Sequence, residues 1–125
     1  MQVVTRVSMF MVVVDDMPKA KEFYADKLGL AVKTDYRQDD NRWWVSLTLP
    51  EGDLTITLST FHGDMKPGAM QFYMVTSDVQ AAHKELTEKG VKVSPVKDDL
   101  YGPGSNVKWF DFADPDGNHL YIAAS

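Results

Sequence analysis

The sequence predicts an α+β fold made of two tandem βαβββ modules, and three observations carry that expectation. Strand-like and helix-like segments follow the same order in both halves of the chain. The halves align at a constant offset, 71 − 9 = 62: Phe10–Val13 falls on Phe72–Val75, Asp16-Met17 on Asp78-Val79, and Ala20 on Ala82. Within several segments apolar residues alternate with polar ones, as half-buried strands require.

The first half opens with an apolar strand, Phe10 to Val14, approached through Arg6 and Ser8. Asp15-Asp16-Met17-Pro18 is a helix start, with a carboxylate cap and a proline in the first turn. From Lys19 to Leu28, residues Ala20, Phe23, Tyr24 and Leu28 recur at helical spacing, and Gly29 closes the helix. Strands are expected at Ala31–Tyr36, Trp43–Leu49 and Leu54–Ser59, divided by the polar Arg37–Arg42 turn and by Pro50–Asp53. After the Phe61–Gly68 connection the order repeats. Gln71–Thr76 is a strand and Ser77-Asp78 begins a helix. Val79, Ala82 and Leu86 mark its buried side, and Gly90 its stop. Strands at Val91–Val96, Val107–Phe112 and His119–Ala123 complete the second half. Residues 1–125 thus read as a single domain of two halves, about 1–61 and 68–125.

Composition narrows the function. The 125 residues hold 44% apolar and 25% charged side chains, an ordinary globular balance that excludes a disordered or fibrous chain. The absence of cysteine excludes disulfides, thiolate catalysis and cysteine-ligated metal centres. A net charge of −5 with no Lys/Arg cluster excludes a duplex-binding face. The longest apolar run, Met9–Val14, is far short of a membrane span, and the first residues lack the marks of a secretory signal. The expectation is a cytoplasmic domain with no nucleic-acid or membrane partner.

Alternation assigns the faces. Leu54, Ile56 and Leu58 point to the helix side, leaving Thr55, Thr57 and Ser59 opposite. By the same parity Gln71 and Tyr73 face away from the core, as do His119, Tyr121 and Ala123. Met9 and Met11 lie on one side of the first strand, opposite Phe10 and Val12. Trp44, Ser46 and Thr48 oppose Val45, Leu47 and Leu49, while Trp109 and Asp111 oppose Phe110 and Phe112. A face of Met, Thr, Gln, Tyr, Trp and His suits the wall of a concave cleft with the helices outside: mostly apolar, with a few polar groups to orient a guest. Solvation, or burial in a dimer, are the alternatives for the same face. No phosphate loop or nucleophile–base spacing occurs; Tyr101–Gly104 reads as a flexible turn that could rim the opening.

At these residues the chain resembles a known group. The tandem order, Val14-Asp15-Asp16 leading to Glu22-Phe23-Tyr24 and Leu28-Gly29-Leu30, and the closing Phe112 with Asp114-Pro115-Asp116-Gly117-Asn118-His119-Leu120 look like the vicinal-oxygen-chelate superfamily of glyoxalases, bleomycin-resistance proteins and extradiol dioxygenases. The resemblance implies a homodimer and, in the enzymes, a metal held by inward side chains of four strands. Those positions fall here on Met9, Thr57, Gln71 and Tyr121. Thioether and neutral hydroxyls are poor ligands for a hard divalent ion, so no metal, cofactor or catalytic residue is expected.

The resemblance is therefore closest to the bleomycin-resistance branch, which sequesters a small molecule in a dimer cleft. The ligand-binding residues expected on this reading are Met9, Met11, Trp44, Thr57, Gln71, Tyr73, Trp109, Asp111, His119 and Tyr121. A metal-dependent lyase, isomerase or dioxygenase of the glyoxalase type, its metal displaced onto Gln71, His119 and Asp111, is the alternative; a dimeric regulatory or structural module is a second. Of the histidines, His119 lies within reach of Asp111 or Tyr73, whereas His62 beside Asp64 and His83 on the second helix read as surface residues.

Overall fold

Both helices start at an aspartate. In the computed structural model, which describes residues 2–61 and 63–125, Asp16 Oδ1 accepts the Lys19 N–H at 3.2 Å and Asp78 Oδ1 accepts the Ala81 N–H at 3.0 Å. His62 lies outside the described residues. The chain divides into two units, residues 1–67 and 68–125.

The first unit runs β1 (Met9–Val13), α1 (Met17–Lys21), β2 (Ala31–Asp39), β3 (Arg42–Thr48) and β4 (Thr55–Ser59). Its sheet has the order β1-β4-β3-β2, with β1 parallel to β4 and the other pairs antiparallel. The helix starts where the sequence places it, with Asp16 as its cap and Pro18 in its first turn. From Glu22 to Lys27 it widens into π-helical winding, with Leu28 N–H reaching back to Phe23 O at 3.0 Å. Phe23 and Tyr24 are both buried, edge to face at 5.4 Å, beside Met17 and Ala20. Together with Val12, Val45, Leu47, Ile56 and Leu58 they form the core of this unit. On the sheet edge Asp35 is held by the Lys21 ammonium and by Trp43 Nε1, the latter at 2.6 Å. These contacts, led by the Lys21 hydrogen bond, keep its carboxyl below the usual range.

The second unit contains β5 (Gln71–Thr76), α2 (Val79–Glu88), β6 (Trp109–Ala113) and β7 (His119–Ala124) in a sheet of order β5-β7-β6. The strand expected at Val91–Val96 is absent. That segment runs beside β6 but forms no regular ladder, for three local reasons. Pro95 has no N–H to give. The Ser94 hydroxyl accepts the Asp111 N–H at 2.9 Å. The Ser94 carbonyl is bonded to His83 Nε2, also at 2.9 Å. Single bridges at Lys97–Trp109 and Asp99–Val107 follow. His83 is therefore not a surface residue: it is half-buried, with its ring edge-on to Phe110 at 5.1 Å.

A buried polar turn joins β6 to β7. Asp114 Oδ1 accepts the N–H groups of Asp116 (3.0 Å) and Asn118 (2.8 Å), and Asn118 Nδ2 donates to Asp114 Oδ2 at 2.7 Å. Asn118 Oδ1 in turn accepts the Met70 N–H at 2.9 Å, tying the turn to the approach of β5. Gly68 packs beneath it at φ +92°, where a Cβ would stand 2.4 Å from the Asp116 carbonyl oxygen.

Candidate functional site

In the first unit, register sets the away-facing residues in rows. Met9 pairs with Thr55, Met11 with Thr57, and Thr57 in turn with Ser46; Ser59 pairs with Trp44, and Trp44 with Tyr36. Met9, Met11 and Trp44 are exposed on this face, Trp44 by 39%, with Tyr36 tilted against it at 6.0 Å. Thr57 departs from an open wall position. It is only 4% exposed, its hydroxyl donating to Met9 Sδ at 3.5 Å and lying 3.3 Å from Ser46 Oγ. Ser59, expected on the same face, is fully buried and binds the Phe61 carbonyl at 2.8 Å.

The second unit concentrates the chemistry. Gln71 pairs with His119, Tyr73 with Tyr121 and Asp111 with Tyr121 across β5-β7-β6, so these five side chains share one face of three neighbouring strands. Tyr73 and Tyr121 stack nearly parallel with ring centres 4.1 Å apart; His119 stacks on Tyr121 at 4.4 Å and Trp109 tilts against it at 5.7 Å. Trp109 Nε1 donates to Asp99 Oδ1 at 3.0 Å, while the Lys97 ammonium sits 4.9 Å over the indole.

Through this aromatic layer runs a polar chain. His119 Nε2 lies 2.6 Å from Asp111 Oδ2, and the Tyr121 hydroxyl lies 3.3 Å from His119 Nδ1. Burial works against ionisation of Asp111, but the Ser94 and His119 hydrogen bonds and the charges of His119 and Lys97 outweigh it, holding the carboxyl below its ordinary 3.8. Tyr121 moves the other way. Desolvation, followed by the neighbouring Tyr73 and the Asp111 charge, pushes its phenol up, so the hydroxyl stays protonated.

Beside this layer is a groove of about 300 Å³ lined by Tyr73, Val75, Leu100, Tyr101, Ala123 and Ala124. Tyr73 is 54% exposed and Tyr101 80% exposed at its rim. Val75, Leu100 and Ala124 are additions to the residues singled out in the sequence; the Tyr101–Gly104 turn was legible as a rim, but its landing place was not. A wider depression along α2 carries Asp78, Lys84, Glu85 and Glu88 with no aromatic wall, so it lacks the features that would hold a planar guest.

The four positions where the superfamily resemblance implies metal ligands do not fit a divalent ion. Met9 offers a thioether, Thr57 a buried hydroxyl already engaged, Gln71 one amide oxygen, and Tyr121 a phenol whose proton is held. A displaced site fares no better, because His119 and Asp111 turn their facing atoms on each other. Among the described residues no group of three or more His, Asp or Glu side chains is placed to hold a metal.

Comparison with known proteins gives a consistent answer. The family model described as Glyoxalase/Bleomycin resistance protein/Dioxygenase superfamily matches residues 6–122. Among solved structures, TnmS3, an antibiotic binding protein from Streptomyces sp. CB03234, aligns with TM-score 0.86 and 28% identity over 99% of this chain and 98% of that one. A superfamily member from Sphaerobacter thermophilus DSM 20745 aligns at TM-score 0.81 and 27% identity, over 99% and 100% of the two chains. The protein YwkD of Bacillus subtilis (strain 168) is 28% identical over 113 residues, covering 84% of this chain and 85% of its own.

Proposed function

The chain belongs to the Glyoxalase/Bleomycin resistance protein/Dioxygenase superfamily, and we propose that it binds a small aromatic or cationic molecule without a metal, as a sequestration or resistance protein. The observation that carries this reading is the layer of Tyr73, Trp109, His119 and Tyr121 beside an apolar groove of about 300 Å³. Stacked aromatic faces give a planar guest large contact area at little entropic cost, and their negative π-faces attract cations. The net charge of −5 adds in the same sense. TnmS3, an antibiotic binding protein, lends this reading support from a related chain.

The test is a fluorescence titration with a planar cationic dye such as acridine orange, run with and without EDTA. Saturable quenching of the tryptophans, equal in both buffers, is the expected result, together with an unchanged melting temperature. Binding or stability that collapses in EDTA and returns with a divalent ion would replace the binder with a metalloprotein.

We further propose that two copies complete the binding surface, the two halves of each chain working as one domain. Met9, Met11, Trp44, Tyr36, Tyr73 and Val75 are exposed in a single chain, and C2 pairing is the common way to cover such residues. Sedimentation at micromolar concentration should give twice the 14.1 kDa chain mass; a monomer there would rule the dimer out.

A further inference from the structure

The polar chain in the second unit has a direction, and that direction limits what Tyr121 can offer a guest. Asp111, held ionised, can only accept hydrogen bonds. Its Oδ2 lies 2.6 Å from His119 Nε2, so that nitrogen carries the proton of the ring. In the neutral imidazole Nδ1 is then an acceptor, and the Tyr121 hydroxyl 3.3 Å away donates to it. While the ring is neutral, the only proton of the phenol is thereby committed inwards. What remains on its oxygen is lone pairs, and donation along a chain polarises each member, making that oxygen a better acceptor.

The surroundings preserve this polarity. On β5, Tyr73 stacks on Tyr121 at 4.1 Å and its hydroxyl is hydrogen-bonded with that of Tyr121; with the Tyr121 proton on His119, Tyr73 is the donor of that pair and the second lone pair of Tyr121 stays open. On β6, Asp111 is anchored through its backbone N–H to Ser94 Oγ at 2.9 Å, and Lys97 adds a positive charge near its carboxylate. Gln71 pairs with His119 on the remaining side. Tyr121 is half-buried on the face opposite Leu120 and Ile122, so it is not enclosed in the core.

We propose that Asp111 and His119 act through Tyr121 as a polarity selector: the site favours planar aryl guests that donate a hydrogen bond, such as hydroxyaryl and arylamine compounds, over guests of the same shape that can only accept. Asp111 and His119 are positioning residues in this scheme, and Tyr121 makes the contact. The selector rests on the binding function proposed above, but its first half, the tautomer, does not depend on any ligand.

Two measurements separate the possibilities. The first is the long-range ¹⁵N spectrum of the His119 ring, taken on the alkaline plateau where the imidazole is neutral. Wild type should show the Nε2–H form. In Asp111→Asn the amide can donate to Nε2, so the Nδ1–H form should gain. The second is a chemical-shift titration with 2-naphthol and with its methyl ether, 2-methoxynaphthalene. Wild type should prefer the naphthol by about tenfold, roughly one well-made hydrogen bond. Tyr121→Phe, which keeps the stack and removes the acceptor oxygen, should lose that preference, and so should Asp111→Asn. An Nδ1–H ring in wild type overturns the selector whatever binds. Equal affinity for the two probes in wild type, or a preference that survives in Tyr121→Phe, overturns it while leaving the binding function standing. Binding of neither probe, with the ring in its assigned form, overturns the binding function and the selector with it. Should Asp111→Asn fail to fold, the wild-type spectrum and the Tyr121→Phe titration still decide the matter.

Discussion

Replacing Asn118 with alanine is expected to destabilise the protein by roughly 2–5 kcal/mol, out of proportion to the few atoms removed. Asn118 is fully buried, and its amide serves two masters: Nδ2 donates to Asp114 Oδ2 at 2.7 Å, and Oδ1 accepts the Met70 N–H at 2.9 Å. Alanine leaves both partners in place without this bond. The cost of a buried polar group that loses a hydrogen bond is about 1–3 kcal/mol, and here two groups each lose one, Asp114 keeping the backbone bonds of its Oδ1. Asn41, in the exposed turn between β2 and β3, is the control. Its bonds there are made by the backbone, the N–H to Asp39 Oδ1 at 2.7 Å and the carbonyl from the Thr60 hydroxyl at 3.2 Å, so Asn41→Ala should stay within about 0.5 kcal/mol. Urea unfolding with unchanged slope reads both variants. A loss below about 1 kcal/mol for Asn118→Ala would mean that the turn is held by its backbone and not by the Asp114–Asn118–Met70 bridge.

The faces of the strands were legible in the sequence because period-two alternation is a local property. It placed Phe110, Phe112, Leu120 and Ile122 inwards and Trp109, Asp111, His119 and Tyr121 on the opposite face, and the burial of β6 and β7 follows that division. The helix starts were legible for the same reason, each capping aspartate acting within three residues of itself. What was not legible depends on contacts between segments distant in the chain. Val91–Val96 alternates like a strand, yet His83 takes the Ser94 carbonyl and the Asp111 N–H goes to the Ser94 hydroxyl, so the bond from Ser94 N–H to Asp111 O is not extended into a ladder there. His83 stands among Lys84 and Glu85 in sequence, but its ring ends on Phe110. Thr57 was placed on the correct side of β4; its burial is set by Met9 and Ser46 on the two flanking strands, which no single-strand pattern contains. The proximity of His119 to Asp111 could be anticipated from the short turn between their strands. The direction of the proton chain could not, because it requires knowing which ring nitrogen meets the carboxylate.

Adjacent residues of β6 should therefore fail in opposite ways when truncated. Phe110 is fully buried, with the His83 ring edge-on to it and Phe112 tilted against it, and Phe110→Ala should cost about 3–5 kcal/mol of stability. Trp109 is half-buried on the other face, between the Tyr121 ring and the Lys97 ammonium. Trp109→Ala should instead lower the affinity for a planar cationic dye by about 1–3 kcal/mol, the usual contribution of one stacking partner. Its stability loss should be the smaller of the two, since the indole is bonded to Asp99 but only partly removed from water. Trp44→Ala, on the exposed face of the first unit, should likewise spare the fold. Affinity and unfolding must both be measured on each variant, because weak binding by a partly unfolded protein would imitate a lost wall. Were Trp109→Ala to unfold like Phe110→Ala while the folded fraction bound dye unchanged, the indole would belong to the core, and the aromatic layer would shrink to Tyr73, Tyr121 and His119.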